Sequence, residues 1–327
     1  MRNQRNQLLL LLLAVLAAPL FTSEYTQHIL ILIFFWAYLG TSWNILSGYA
    51  GQLSLGHASF FGVGAYTSTF LYVHYGLTPW AGMLAAGALA ALLGLFIGFV
   101  SFHYGLKGPY FALVTIAFGE VLRHVFTNWP LVGEAMGIHL PLKGNAPLIF
   151  QFSAKYPYYY IALAMMLIAL WVARLIKRSK LGYQMVALRE NEDTAESLGV
   201  NTKAVKLIAI CVSAFMTGMG GSFYAQYFFY IDPETTFNLG ISIDIAIRPI
   251  IGGLGTLAGP VVGSIILTPL SELTRFIFGG RHAGVALMSY GVILMAVVLM
   301  APNGVVGWFR GRRKSAGGAA AAEEEGA

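Results

Sequence analysis

The sequence predicts an all-α polytopic membrane protein with nine or ten transmembrane helices, some of them short, broken or re-entrant. Three observations carry this. Charged residues make up 10% of the 327 residues against 57% hydrophobic ones, whereas a soluble domain carries about a quarter charged residues. The few charges are also segregated. Between Glu24 and Lys107 no Asp, Glu, Lys or Arg occurs across 82 residues, room for about three spans of roughly 20 residues each. Finally, 14 of the 20 Lys and Arg residues gather in four places: Arg2 and Arg5, Lys107, the stretch 174–206, and Arg310 to Lys314. Basic loops flanking apolar spans face the cytoplasm. Disorder, nucleic-acid binding and a disulfide scaffold are excluded together, and Cys211, the sole cysteine, reads as a small buried residue.

Apolar runs between polar breaks give helices over 8–21, 29–46, 53–74, 79–102, 109–126, 158–176, 207–230, 261–278 and 284–301, with a shorter piece at 241–251. Parity agrees with the charges. Six crossings from a cytoplasmic N-terminus return the chain inside at Lys177, helix 207–230 leaves again, and 284–301 re-enters to place the basic tail inside. Residues 241–278 must then begin and end outside, as a hairpin or a re-entrant segment around the Gly-rich run 252–259. The first run satisfies two patterns, since Arg2 and Arg5, 14 apolar residues and Ala17-Ala18-Pro19 suit a first spanning helix and a cleaved leader alike. Residues 1–314 form one membrane domain, with a loop at 179–202. The Ala/Gly-rich segment 315–327 reads as a disordered cytoplasmic tail.

Few groups are available for catalysis. There is no Gly-x-x-x-x-Gly-Lys-Ser/Thr, so ATP is not bound through a P-loop. No His-Glu-x-x-His or Cys/His cluster offers a metal site. The chain is read as a non-enzyme that itself binds no cofactor, with membrane lipid as its surroundings and no nucleic-acid partner. Transport is the class that remains.

Three features stand out from the apolar background. Residues 43–64, WNILSGYAGQLSLGHASFFGVG, interrupt a spanning stretch with small and polar residues. Asn44, Gln52, Ser54 and His57 are substrate-pathway candidates, because a zwitterion leaving water needs hydrogen-bond partners. The alternative is close helix packing through small residues. A second Gly-rich interruption at 252–263 matches the paired breaks of translocation pathways.

The second feature is ionisable residues inside apolar helices. Glu120, a further pathway candidate, shares a face with Arg123 and His124. Asp244 and Arg248 are four apart, acid first, the favourable order for a helical pair, and charges at this depth must neutralise each other or face water.

The third is the hydrophilic loop 179–202. Leu181, Met185 and Leu188 form an apolar stripe, and a short acidic helix then ends at Gly199, whose missing Cβ suits a left-handed cap. Asn201 or Thr202 caps the next helix. This order suits a docking surface for a cytosolic partner.

The runs 43–66, 108–123 (GPYFALVTIAFGEVLR), 187–207 (ALRENEDTAESLGVNTKAVKL) and 242–263 (SIDIAIRPIIGGLGTLAGPVVG) together resemble the branched-chain amino-acid ABC importer permeases, LivM-type rather than LivH-type. The likeness spans about residues 8–309. It implies a permease subunit of the bacterial inner membrane, multi-pass with both termini cytoplasmic. Its implied partners are a LivH-type second permease, two cytosolic ATPase subunits that hydrolyse the ATP, and an extracytoplasmic substrate-binding protein. It also implies that Arg189, Glu190, Glu192, Ala195, Glu196 and Gly199 belong to the segment that couples to an ATPase. Two positions depart from the family pattern. The loop after the Glu120 helix is less Gly-rich, and Arg248 stands where an apolar residue is more frequent. Urea or short amides on the same framework, or a self-sufficient secondary transporter or channel, are the alternatives.

Overall fold

The computed structural model describes residues 15–19 and 21–278, with positions 288, 291, 295 and 304–307. The expected helix 284–301 and the tail 315–327 lie outside the described residues apart from those positions, as does most of the expected helix 8–21.

The described chain is helical nearly throughout. Helix α1 (Glu24–Trp43) starts where the Ser23 side chain accepts from the Thr26 amide and continues as a π-helical turn, Asn44–Tyr49. Residues 51–56 are irregular. Helices α2 (His57–Tyr75), α3 (Pro79–His103) and α4 (Pro109–Thr127) follow, and then α5 (Tyr156–Arg178). The hydrophilic loop forms α6 (Lys180–Glu190) and α7 (Glu192–Ser197) before the long α8 (Thr202–Phe228). A single turn, α9 (Pro233–Thr236), leads into the hairpin of α10 (Leu239–Gly253) and α11 (Gly259–Phe278). The expected break within 241–278 therefore lies at 254–258. Five of the described helical segments are long and apolar enough to cross a bilayer: Glu24–Tyr49, Pro79–His103, Pro109–Thr127, Tyr156–Arg178 and Thr202–Phe228. Helices α2 and α11, of 19 and 20 residues, reach about 28–30 Å at 1.5 Å per residue. The chain is a multi-pass, all-α membrane protein.

Helix α1 is the axis of the packing. It lies against α5, α8, α10 and α11, while α8 packs on α2 and α3. Small residues set the closest approach. A Cβ on Gly64 of α2 would sit 2.1 Å from the Gly218 carbonyl of α8, and one on Gly221 would sit 2.0 Å from the Phe61 carbonyl. The glycines thus let these helices meet backbone to backbone, as membrane helices do when association relies on packing rather than hydrophobicity.

Polar contacts sort the connections onto two faces. On one, Lys107 Nζ lies 3.0 Å from Asp193 Oδ1, joining the α3–α4 turn to α7. On the other, the 128–155 connection carries β1 (Ile138–His139), which pairs antiparallel with β2 (Tyr230–Ile231). Its Pro147 carbonyl accepts from Trp80 Nε1 at 3.0 Å. Among the described residues, the basic Lys107 turn and the 179–202 connection thus share one face.

Candidate functional site

The two interruptions read from the sequence meet. Asn44 is buried and clamps the α10–α11 turn. Its Nδ2 donates to the Thr256 carbonyl and its Oδ1 accepts from the Gly255 amide, both at 2.9 Å. The break at 50–56 needs local partners because its backbone groups leave the helical ladder. Ser47 Oγ donates to the Gln52 carbonyl at 2.8 Å and Trp43 Nε1 donates to the Ser54 carbonyl at 2.7 Å. The Leu55 amide donates to Thr115 Oγ1 of α4, and the Ala58 amide to Ser242 Oγ of α10. Gln52 is mostly buried and donates through Nε2 to the Ala50 carbonyl at 3.2 Å.

Ser54 and His57 are fully buried and belong to a chain of bonds between helices. Ser213 Oγ donates to the Ser42 carbonyl, which uses its only proton, so at the 2.8 Å contact His57 Nε2 is the donor. Nδ1 is then the acceptor from Ser54 Oγ at 3.1 Å. Both imidazole nitrogens are occupied by protein groups. Ser54 and His57 sit side by side without a carboxylate, so they do not form a nucleophilic triad.

Helix α4 presents the polar face. Arg123 Nη2 lies 2.8 Å from Glu120 Oε2, and its Nη1 lies 2.5 Å from Glu234 Oε1 of α9. Glu120 is partly exposed and borders a cavity of about 10 Å³ with Gly56, Gly119 and Ser242, space for one water at most. On the same helix, Tyr110, Leu113 and Val121 are exposed, while Phe111 and Thr115, on the side away from Glu120, are buried.

A second polar space of about 250 Å³ lies between α1, α8, α10 and α11, bordered by His28, Trp36, Asp244, Arg248, Thr268 and Glu272. There Arg248 Nη1 lies 3.6 Å from Asp244 Oδ1 and also bonds the Asp244 carbonyl. The guanidinium stacks 3.9 Å above the Trp36 ring. A further cavity of about 580 Å³ is lined by side chains such as Val63, Phe70, Leu89 and Leu93. It is too apolar to hold a zwitterion.

The 179–202 loop is built as its sequence suggests, but its residues face different ways. Met185 and Leu188 are buried and Leu181 packs against the core. Asn191 and Asn201 cap α7 and α8 by accepting from the Thr194 and Ala204 amides. Gly199 takes the left-handed conformation at φ 82°. Of the expected coupling residues, Arg189, Glu190, Glu196 and Gly199 are exposed, next to Leu198 at 78% exposure.

Ala195 and Glu192 turn inward, and Arg189, though exposed, bonds the membrane helices. Ala195 is buried. Glu192 is held by Lys206 at 2.6 Å and Lys107 at 3.7 Å. Arg189 reaches the α1–α2 break, donating from Nη1 to the Gly48 carbonyl at 3.1 Å. No pattern in the sequence marks Arg189 for this contact, because its partner is 141 residues away. The Lys107 amine is held above the ordinary lysine range, first by its hydrogen bond to Asp193 and then by the charge of Glu192.

Residues 25–301 match the family model for the permease component of branched-chain amino acid transport systems. The chain is 29% identical to the high-affinity branched-chain amino acid transport permease LivM of Escherichia coli, over 98% of its own length and 79% of that protein. It is 28% identical to the Salmonella typhimurium LivM over the same shares. Against the LivH permease of Salmonella typhimurium it is 22% identical, over 83% of this chain and 91% of that one. No solved structure matches. The family match covers most of a chain that is itself a bundle of apolar helices with two facing breaks, and the chain belongs to the family of branched-chain amino acid transport permease components.

Proposed function

We propose that this chain is the LivM-type membrane subunit of a binding-protein-dependent ABC importer for branched-chain amino acids, resident in the bacterial inner membrane. It pairs with a LivH-type permease, takes cargo from an extracytoplasmic binding protein, and moves it as two cytosolic ATPase subunits hydrolyse ATP. ATP is bound by those subunits and no cofactor by this one. The observation that carries the reading is the capped α6–α7 loop, a rigid element seated on the membrane helices with Glu190, Glu196 and Leu198 exposed on its outer side. A solvated connection has no use for three successive caps, whereas a surface that fits a partner's cleft needs them.

The cargo path in this reading runs along the Glu120 face of α4 and the exposed edge of the break at Leu53. Ser54 and His57 stand behind that edge as its support, since all their hydrogen-bonding capacity is spent on protein groups. Cysteine substitution in a Cys211→Ser background tests this. With a water-soluble thiol reagent, Leu53→Cys and Glu120→Cys are expected to label, more slowly when cargo-loaded binding protein is present, while Ser54→Cys and His57→Cys resist. Labelling at 54 and 57 with protection at 53 and 120 would reverse the assignment. Uptake of labelled leucine by a strain lacking its own system, abolished on deleting the ATPase genes, tests the transport class. Uptake that persists without any ATPase points instead to a self-sufficient transporter.

A further inference from the structure

Arg189 stands out because its contacts differ from the docking role expected of it. It lies on the loop assigned to the ATPases, yet its guanidinium points at the membrane helices. The Nη1 bond to the Gly48 carbonyl ends on the last π-helical turn before the α1–α2 break. Its aliphatic stem lies against Gly51, where an added Cβ would be 2.8 Å from Cγ. Gly51 has φ 70°, so backbone conformation and space both call for glycine there. The same Nη1 would lie 2.7 Å from a Cβ on Gly255, in the α10–α11 turn. Gly255 is in turn bonded to Asn44 of the π-helical segment. One guanidinium therefore touches both interrupted elements at the point where they clamp each other. Its opposite edge is held from the loop side, with Nη2 donating to Glu190 Oε1 at 2.7 Å and Nε to the same oxygen at 3.3 Å.

The loop is otherwise stiff. α7 is fastened by Lys107 and Lys206 through Glu192 and Asp193, and α6 is seated on Met185 and Leu188. A push on the exposed face of such a body is transmitted rather than absorbed. At the break, freed backbone groups are held by single hydrogen bonds, and this is where the push can be converted into movement.

We propose that Arg189 is a positioning residue for transport, a strut through which displacement of the α6–α7 loop moves the α1–α2 break and the α10–α11 turn together. It acts on those segments and does not contact cargo or hold the ATPase. The proposal rests on the reading of the loop as the ATPase contact, and the two fail in different ways.

The test uses the whole importer in proteoliposomes, with binding protein and labelled leucine, and reads three quantities: ATPase subunits retained on purification, ATP hydrolysed, and leucine taken up per ATP. Arg189→Ala and Arg189→Gln both lose the reach to Gly48. Both are expected to keep the ATPases and to hydrolyse ATP, while uptake per ATP falls about tenfold or more, the scale of losing a charge-assisted hydrogen bond from the moving state. Arg189→Lys keeps stem length and a donor for the Gly48 carbonyl and is expected to restore much of the coupling, a rescue that a merely structural defect would not show. If the alanine variant does not accumulate, the glutamine variant gives the same readout. Unchanged uptake per ATP in Arg189→Gln overturns the strut. Loss of the ATPases from the purified complex also overturns it, since Arg189 would then be a docking contact. The loop reading fails separately, if Glu196→Lys leaves ATPase retention and uptake normal.

Discussion

Replacing Asn44 by alanine removes both bonds that hold the α10–α11 turn against the π-helical segment, and the structure gives the scale of the loss. The Nδ2 and Oδ1 contacts are each 2.9 Å long and made by a side chain that is 1% exposed. A neutral hydrogen bond contributes about 1 kcal/mol net, and a buried group left without a partner costs about 1–3 kcal/mol. The Gly255 amide and Thr256 carbonyl are only part-buried at these contacts, so water recovers some of the loss, and the expected destabilisation is about 2–3 kcal/mol. Asn44→Asp discriminates further. It keeps an acceptor for the Gly255 amide but sets an oxygen against the Thr256 carbonyl, so it is expected to be no more stable than the alanine variant. The assay is reversible unfolding by SDS in mixed micelles. A shift below about 0.5 kcal/mol for Asn44→Ala, within the range of an ordinary surface change, would falsify the clamp. An aspartate variant as stable as the parent would show that the Thr256 bond contributes nothing.

Four further outcomes follow from the same geometry. Glu196→Lys and Gly199→Leu should each abolish ATP-dependent uptake while the protein accumulates normally. At Gly199 a Cβ meets no neighbour, so the cost arises from φ 82°, about 1–2 kcal/mol for a branched side chain, and shows as loss of the cap; normal uptake and ATPase co-purification in both would refute the docking surface. Asp244→Ala and Arg248→Ala should each lower membrane yield, and the double change should recover much of it; a double variant no better than the singles would remove the pairing and favour contact with cargo. Gly64→Val should prevent accumulation, because its Cβ meets the Gly218 carbonyl at 2.1 Å, and normal yield would contradict the packing of α2 on α8. The Lys107 bridges should be insensitive to pH between about 6 and 9. A lysine whose pKa is raised in the folded state contributes below its ordinary value of about 10.4 and loses the contribution only above the raised one, so proteolytic protection of α7 that vanished by pH 8 would contradict them.

What the sequence discloses and what it hides divide along a physical line. Solvent preference is legible. The charge-free runs mark the spans, the basic clusters mark one face, and Gly199 and Asn201 end and begin helices because a cap depends on residues within one turn of each other. The two breaks are legible for the same local reason, since glycine and polar residues weaken a helix wherever they cluster. Pairing across the fold leaves no such trace. Ser54 and His57 read either as pathway residues or as inter-helix hydrogen-bond partners, because a polar group in an apolar run must bond to something. The sequence says that a partner exists but not that Ser213, 156 residues from His57, is that partner. The family resemblance assigns Arg189 and Glu192 to the coupling segment, and each also bonds a group brought near only by the folded bundle, the Gly48 carbonyl and Lys206. Ala195, which the resemblance places among the coupling residues, is buried. It is the single apolar side chain of an otherwise polar α7, and with it turned inward the face carrying Glu196 and Leu198 is the one left for a partner. The division of the loop into an inner anchoring side and an outer contacting side follows from that residue and the three capping interactions, and it makes the loop a rigid link between a cytosolic partner and the broken helices.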